Sequence, residues 1–135
     1  MVLIPTPKTR HLPRTDQAYI VVDFEVDAES VFISIRNLSD LPALRLRIKS
    51  SVAIQGLDGE KDISQLAIFK EISYFAPHKK IRVYVDEHES FFKHLTNTKV
   101  SFTIAYEDES ARPVRHTIHH ELAIYKDLTY YRGKP

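Results

Sequence analysis

The sequence predicts an all-β fold, an antiparallel β-sandwich of about seven strands with one short helix. Three observations lead there. Apolar residues alternate with polar ones at period two in most segments. These segments recur at spacings of roughly 8–20 residues and are separated by hairpin-length turns. No stretch supplies the long crossover helices that a parallel sheet needs.

Residues 1–17 hold Pro5, Pro7 and Pro13 without an apolar period and read as an extended arm. In "AYIVVDFEV" (18–26), Ile20, Val22, Phe24 and Val26 share one face of a strand. After a short turn, "SVFISIRN" (30–37) turns Val31, Ile33 and Ile35 inward. "ALRLRIKSSVAI" (43–54) alternates Leu44, Leu46 and Ile48 with Arg45, Arg47 and Lys49; only a strand lines those cations up on one side. "QGLDGEKD" (55–62) is a loop, "ISQLAIFKEIS" (63–73) reads as a strand, and "YFAPHKK" (74–80) turns around Pro77. "IRVYVD" (81–86) alternates cleanly. "DEHESFFKHL" (86–95) predicts the helix, with Asp86 as its cap and Phe91 and Leu95 on one side. The last pair is "KVSFTIAYED" (99–108) and "VRHTIHHELAIY" (114–125), joined by an acidic loop. Expected core residues are Ile33, Leu46, Val83, Phe102 and Ile104. One domain follows over 18–128, with the arm before it and a tail at 129–135.

Composition narrows the function classes. Lys and Arg number 19 against 18 Asp and Glu, so no global field draws the protein to nucleic acid or anionic membrane. The absence of cysteine excludes disulfides, thiolate nucleophiles and cysteine-based metal sites. The apolar start ends at Pro5, too short for a secretory signal, and no window reaches the roughly 18–20 apolar residues of a spanning helix. A cytoplasmic location is the default expectation. Three glycines, at 56, 59 and 133, leave no phosphate loop or dinucleotide fingerprint, and there is no nucleophile elbow. No catalytic residue and no cofactor is expected.

"VFISIRNLSDLPALRLRIKSSV" (31–52) resembles the second and third strands of bacterial immunoglobulin-like modules of the cell-adhesion-related (CARDB-like) type: a strand ending in Asn, a polar loop with Pro, then Ala opening the next strand. "ISYFAPHKKIRVYV" (72–85) and "VSFTIAYEDE" (100–109) are similar to later strands of such modules. Two features depart from the pattern. His78 stands where Gly commonly follows the Pro, and the helix at 86–95 is an insertion. The resemblance implies an immunoglobulin-like sandwich and a non-catalytic interaction or structural module. It carries over no catalytic residue.

"RHTIHH" (115–120) is the stretch most suggestive of chemistry. On a strand, His116 and His120 share a face but lie roughly 13 Å apart, and His119 points the other way. One ion with imidazole nitrogens at about 2.0–2.1 Å cannot bridge that span, so the three read as ordinary strand histidines. A metal- or ligand-binding protein built on them, or a hydrolase, is the alternative. The carboxylates of "YEDES" (106–110) resemble a calcium loop only loosely and read as a polar hairpin tip.

The most site-like surface feature is the stripe Arg45, Arg47 and Lys49, with Arg36 on the preceding strand as a candidate neighbour. Such a stripe can take phosphate or an acidic partner, and it can equally be a solvated or aggregation-guarding face. Stacking aromatics are not tied to it, so nucleic acid is not the expected ligand. A protein partner is expected, and a second copy through a sheet edge or face is one candidate.

Overall fold

A computed structural model describes residues 17–127. The expected arm, apart from Gln17, and the expected tail at 129–135 lie outside the described residues. The strands in chain order are β1 (Ile20–Asp27), β2 (Ser30–Asn37), β3 (Ala43–Ser50), the two-residue β4 (Gln55–Gly56) and β5 (Lys61–Asp62), β6 (Ile72–Phe75), β7 (Lys80–Glu87), β8 (Lys99–Glu107) and β9 (Pro113–Glu121). Two helices join them, α1 (Ala67–Lys70) and α2 (His88–His94).

Seven of these strands make an all-β antiparallel sandwich. One sheet has the order β1-β2-β7 and the other β6-β3-β8-β9, while β4 and β5 pair as a separate hairpin. Alternation explains the layers. Ile20, Val22 and Phe24 of β1, Val31, Ile33 and Ile35 of β2, Leu46 and Ile48 of β3, and Phe102, Ile104 and Tyr106 of β8 are buried in one continuous core. Phe24 and Phe102 meet across the two sheets with ring centroids 5.6 Å apart. Val83 packs against this core but is half-buried, because β7 closes an edge of its sheet.

Two loops set the strand directions. Buried Asn37 ends β2 and uses its whole amide. Its Nδ2 donates to Leu41 O (2.8 Å) and Phe75 O (3.3 Å), and its Oδ1 accepts from Ser39 N (3.0 Å) and Ser39 Oγ (2.7 Å). At the β6–β7 turn, Pro77 fixes its own φ, and His78 follows at φ +62°, the backbone that favours glycine. Its imidazole Nε2 lies 2.6 Å from Asp40 Oδ1.

The structure corrects several expectations. Residues 63–73 are not one strand. Asp62 accepts from Ser64 N and starts a 3-10 turn at 63–65, α1 follows, and only residues 72–75 join the sheet. The apolar anchors Ile63, Leu66 and Phe69 sit three apart, a helical spacing that outweighs the β-branched composition. Asp86 does not cap α2. Its buried carboxylate accepts from Asp58 N (3.0 Å), Ser90 Oγ (2.7 Å) and Glu87 N (2.8 Å), tying α2 to the β4–β5 turn. The expected strand 114–125 ends at Glu121, whose carboxylate accepts from Ala123 N and starts a 3-10 turn, so Ile124 is exposed. The expected strand 43–54 ends at Ser50, whose hydroxyl bonds Val52 O at 2.6 Å.

Candidate functional site

The register of the four-stranded sheet decides where the cations go. Arg45 is the extra residue of a β-bulge: pairing with β8 shifts between Leu44 and Arg47, and Arg45 has φ +51°. Its guanidinium is taken by Glu107 at 3.0 Å and Glu71 at 3.7 Å. Beyond the bulge, Arg47 pairs with Ala105 of β8, and Ala105 pairs with Arg115 of β9. In the next row but one, Lys49 pairs with Thr103. Because side chains alternate, Arg47, Lys49, Thr103, Ala105 and Arg115 all point to the outer face.

The 3-10 turn and α1 pack beside β3 and wall this face, with Phe69 buried beneath them. The result is an open hollow of about 550 Å³, lined by Arg47, Lys49, Lys70 and Arg115 together with Ser50, Ser64 and Thr103. Among the described residues, no carboxylate lines it. Among the described residues, none of these four cations has an Asp or Glu oxygen within ion-pair distance. Arg47 Nε donates to Arg45 O at 3.0 Å, leaving its two terminal nitrogens for a ligand. Lys70 Nζ has only the neutral Gln65 Oε1, at 3.3 Å.

The outer face of the other sheet is the opposite case. Lys80 Nζ lies 3.0 Å from Glu25, and Arg82 reaches Glu25 at 3.3 Å and Asp27 at 3.2 Å. The Arg82 guanidinium also covers the Phe32 ring at 3.8 Å. Burial pushes the Glu25 carboxyl up, but the Lys80 hydrogen bond and the Lys80 and Arg82 charges outweigh it and hold it below its ordinary value. The Glu87 carboxylate, accepting from Tyr84 at 2.6 Å, drives that phenol up to about 12. Arg36, the expected neighbour of the stripe, belongs to this sheet, between Val21 and Lys80, and is remote from Arg47 by topology.

The histidines have structural partners. His116 Nε2 lies 3.0 Å from Ile20 O, and His120 Nε2 lies 2.9 Å from Val22 O. A carbonyl oxygen only accepts, so each Nε2 donates. These bonds stitch β9, an edge of one sheet, to β1, an edge of the other, and occupy carbonyls an edge strand would otherwise expose. His120 also packs edge-on against Phe24 and Phe102, at 5.4 and 5.7 Å. His119, on the outer face, has Nδ1 2.7 Å from Ser101 Oγ. Among the described residues, no three His, Asp or Glu side chains gather as a metal site. Asp108 in the acidic hairpin turns inward to Ser110 N, Arg112 N and Arg112 Nε at 2.8–2.9 Å. The Arg112 amide, with the other hydrogen bonds to Arg112 and Ser110, holds its carboxyl below the ordinary value despite burial, as in a polar turn.

A family model described as "Domain of unknown function (DUF8453)" matches residues 8–131. The chain belongs to this family. No curated protein and no solved structure matches it.

In this DUF8453 domain, two of the three stripe residues reach the hollow, Arg47 and Lys49, and Arg45 does not. Sequence reasoning missed Lys70 and Arg115. Arg115 had a usable signal: it shares parity with Thr117 and His119 on an alternating strand, and so faces outward. Lys70 had none, because its position depends on the helical turn that replaces the expected strand. No helix among the described residues is long and apolar enough to cross a membrane.

Proposed function

We propose that the domain is a non-catalytic interaction module of the immunoglobulin-like kind, and that its contact surface is the cationic outer face of the four-stranded sheet. The observation that carries this is the set of unpaired cations. Arg47, Lys49, Lys70 and Arg115 surround one hollow that no carboxylate of the described residues lines, in a chain whose charges nearly balance. Lys80 and Arg82 on the three-stranded sheet are neutralised by Glu25 and Asp27. Like charges placed together without compensation repel one another, so this arrangement costs stability until an anion arrives. The strand orders β1-β2-β7 and β6-β3-β8-β9 support the immunoglobulin-like reading. So do Asn37 closing β2 and the glycine-type backbone at His78, both at positions of the resembling motif.

The partner is an acidic protein segment. The test is the anisotropy of a labelled peptide rich in Asp and Glu, titrated with the full chain at several salt concentrations. Binding should weaken as salt rises and should be lost when Arg47, Lys49, Lys70 and Arg115 are replaced by Gln. Equal binding by this variant would move the contact surface elsewhere on the molecule.

A further inference from the structure

The row Arg47–Ala105–Arg115 says more than that the face is positive. Two arginines on β3 and β9 flank the smallest side chain of the row, on the intervening strand β8. They stand two strand spacings apart, about 10 Å between backbones. Both line the same hollow, and Ala105 forms part of its floor. Among the described residues, the row places only the Ala105 methyl between the two arginines.

We infer that this gap is a seat for a phosphate monoester dianion, held between Arg47 and Arg115 over Ala105 and carried by a phosphorylated side chain of the partner. The inference rests on the reading of this face as the contact surface and names what that face recognises. The chemistry favours phosphate over carboxylate. A carboxylate has two oxygens and is satisfied by one guanidinium fork. A phosphate monoester offers three terminal oxygens and close to two charges, enough to accept from two forks approaching from opposite sides. Arg47 is already oriented by its Nε bond to Arg45 O, which leaves its terminal nitrogens free. Lys49 and Lys70 on the rim add unpaired charge, and Thr103 adds a hydroxyl. The arrangement suits nucleic acid less. Among the described residues, the one aromatic that lines the hollow, Phe69, is buried and offers no ring face for a base. A phosphodiester also presents only two free oxygens and a single charge.

The experiment is an NMR titration of the labelled full chain, following the backbone amides of residues 47, 105 and 115 and the arginine Nε–H signals. Four probes are compared: a short phosphoserine peptide with uncharged flanks, the same peptide with Glu in place of phosphoserine, inorganic phosphate, and a single-stranded oligonucleotide. The phosphopeptide should shift these signals and bind about tenfold or more tightly than the Glu peptide. Inorganic phosphate should shift the same signals more weakly. If phosphate binds as well as the phosphopeptide, the seat serves free phosphorylated small molecules, and the protein source is overturned. Ala105→Leu fills the floor and keeps every charge, so it should abolish the phosphopeptide preference while Glu-peptide binding persists. Its spectrum reports whether it stays folded, and Arg115→Gln, at an exposed position, gives the same readout without added bulk. Equal binding of the phosphoserine and Glu peptides overturns the seat and leaves the acidic-partner reading standing. Absence of binding by both peptides overturns both. Tightest binding by the oligonucleotide, unaffected by Ala105→Leu, replaces the seat with a nucleic-acid surface.

Discussion

Replacing Asn37 tests the account of the fold at one buried amide. Asn37 is 1% exposed and makes four hydrogen bonds, two as donor and two as acceptor. Asn37→Ala takes the side-chain donor from Phe75 O, whereas Leu41 O keeps the Ser39 hydroxyl at 3.1 Å and half-buried Ser39 can turn to water. A net value near 1 kcal/mol per bond, with the deprived Phe75 carbonyl dominating, gives a loss of about 2 kcal/mol. Asn37→Asp has almost the same shape and keeps the acceptor toward Ser39. Yet it turns a carboxylate toward two carbonyl oxygens in a buried place, so at neutral pH it should cost at least as much as Ala. In acid the protonated carboxyl can donate again, and the Asp variant should recover relative to the Ala variant. Urea unfolding with matched m-values at pH 7 and near pH 4 measures this. A loss under about 1 kcal/mol for Ala, or an Asp variant more stable than Ala at pH 7, would refute the hydrogen-bond account of this loop.

Three further outcomes follow from particular contacts. Lys99, 2.8 Å away, and Thr98 with the Ala123 amide hold Glu121 at about 2, below its ordinary 4.5. Its depressed value contributes stability that is present above about pH 4.5 and lost as pH falls toward 2, so acid unfolding curves of Glu121→Gln should be flatter across that window. The β1–β2 turn holds Ala28 at φ +51° and Glu29 at φ +67°, where Asn and Gly are at ease; Ala28→Asn with Glu29→Gly should raise stability by about 1 kcal/mol in thermal or urea unfolding. His120→Phe keeps the ring against Phe24 and Phe102 but loses the bond to Val22 O, costing about 1 kcal/mol, while His120→Ala loses both and should cost about 2–3. Equal losses in the two variants would mean that the hydrogen bond contributes nothing.

Strands β1, β2 and β8 were legible because each sends alternate apolar residues into the core, and the period of two records that directly. The bulge at Arg45 was not. An inserted residue shifts parity, so Ala43 and Leu46 both face the core although they lie three apart, and the apparent three-cation stripe was a two-cation one. Residues 63–73 misled because Ile and Phe suit a strand, while the chain there forms a 3-10 turn and α1 packed beside β3, and only residues 72–75 join the sheet. The hollow itself joins residues 47, 70 and 115, and only the pairing Arg47–Ala105–Arg115 brings its two arginines together. That pairing depends on strand order, which period alone does not encode.

The central claim is that the unpaired cations around the hollow hold a partner, while the paired Lys80 and Arg82 of the other sheet serve the fold. The most direct measurement is a crossed comparison of two double variants, Arg47→Gln with Arg115→Gln and Lys80→Gln with Arg82→Gln, each assayed for urea stability and for binding of an anionic peptide. The account predicts that the first pair keeps stability within about 0.5 kcal/mol and loses binding. It predicts that the second pair loses stability, by no more than about 1 kcal/mol per exposed ion pair, and keeps binding. Loss of binding in the second pair with binding intact in the first would contradict it.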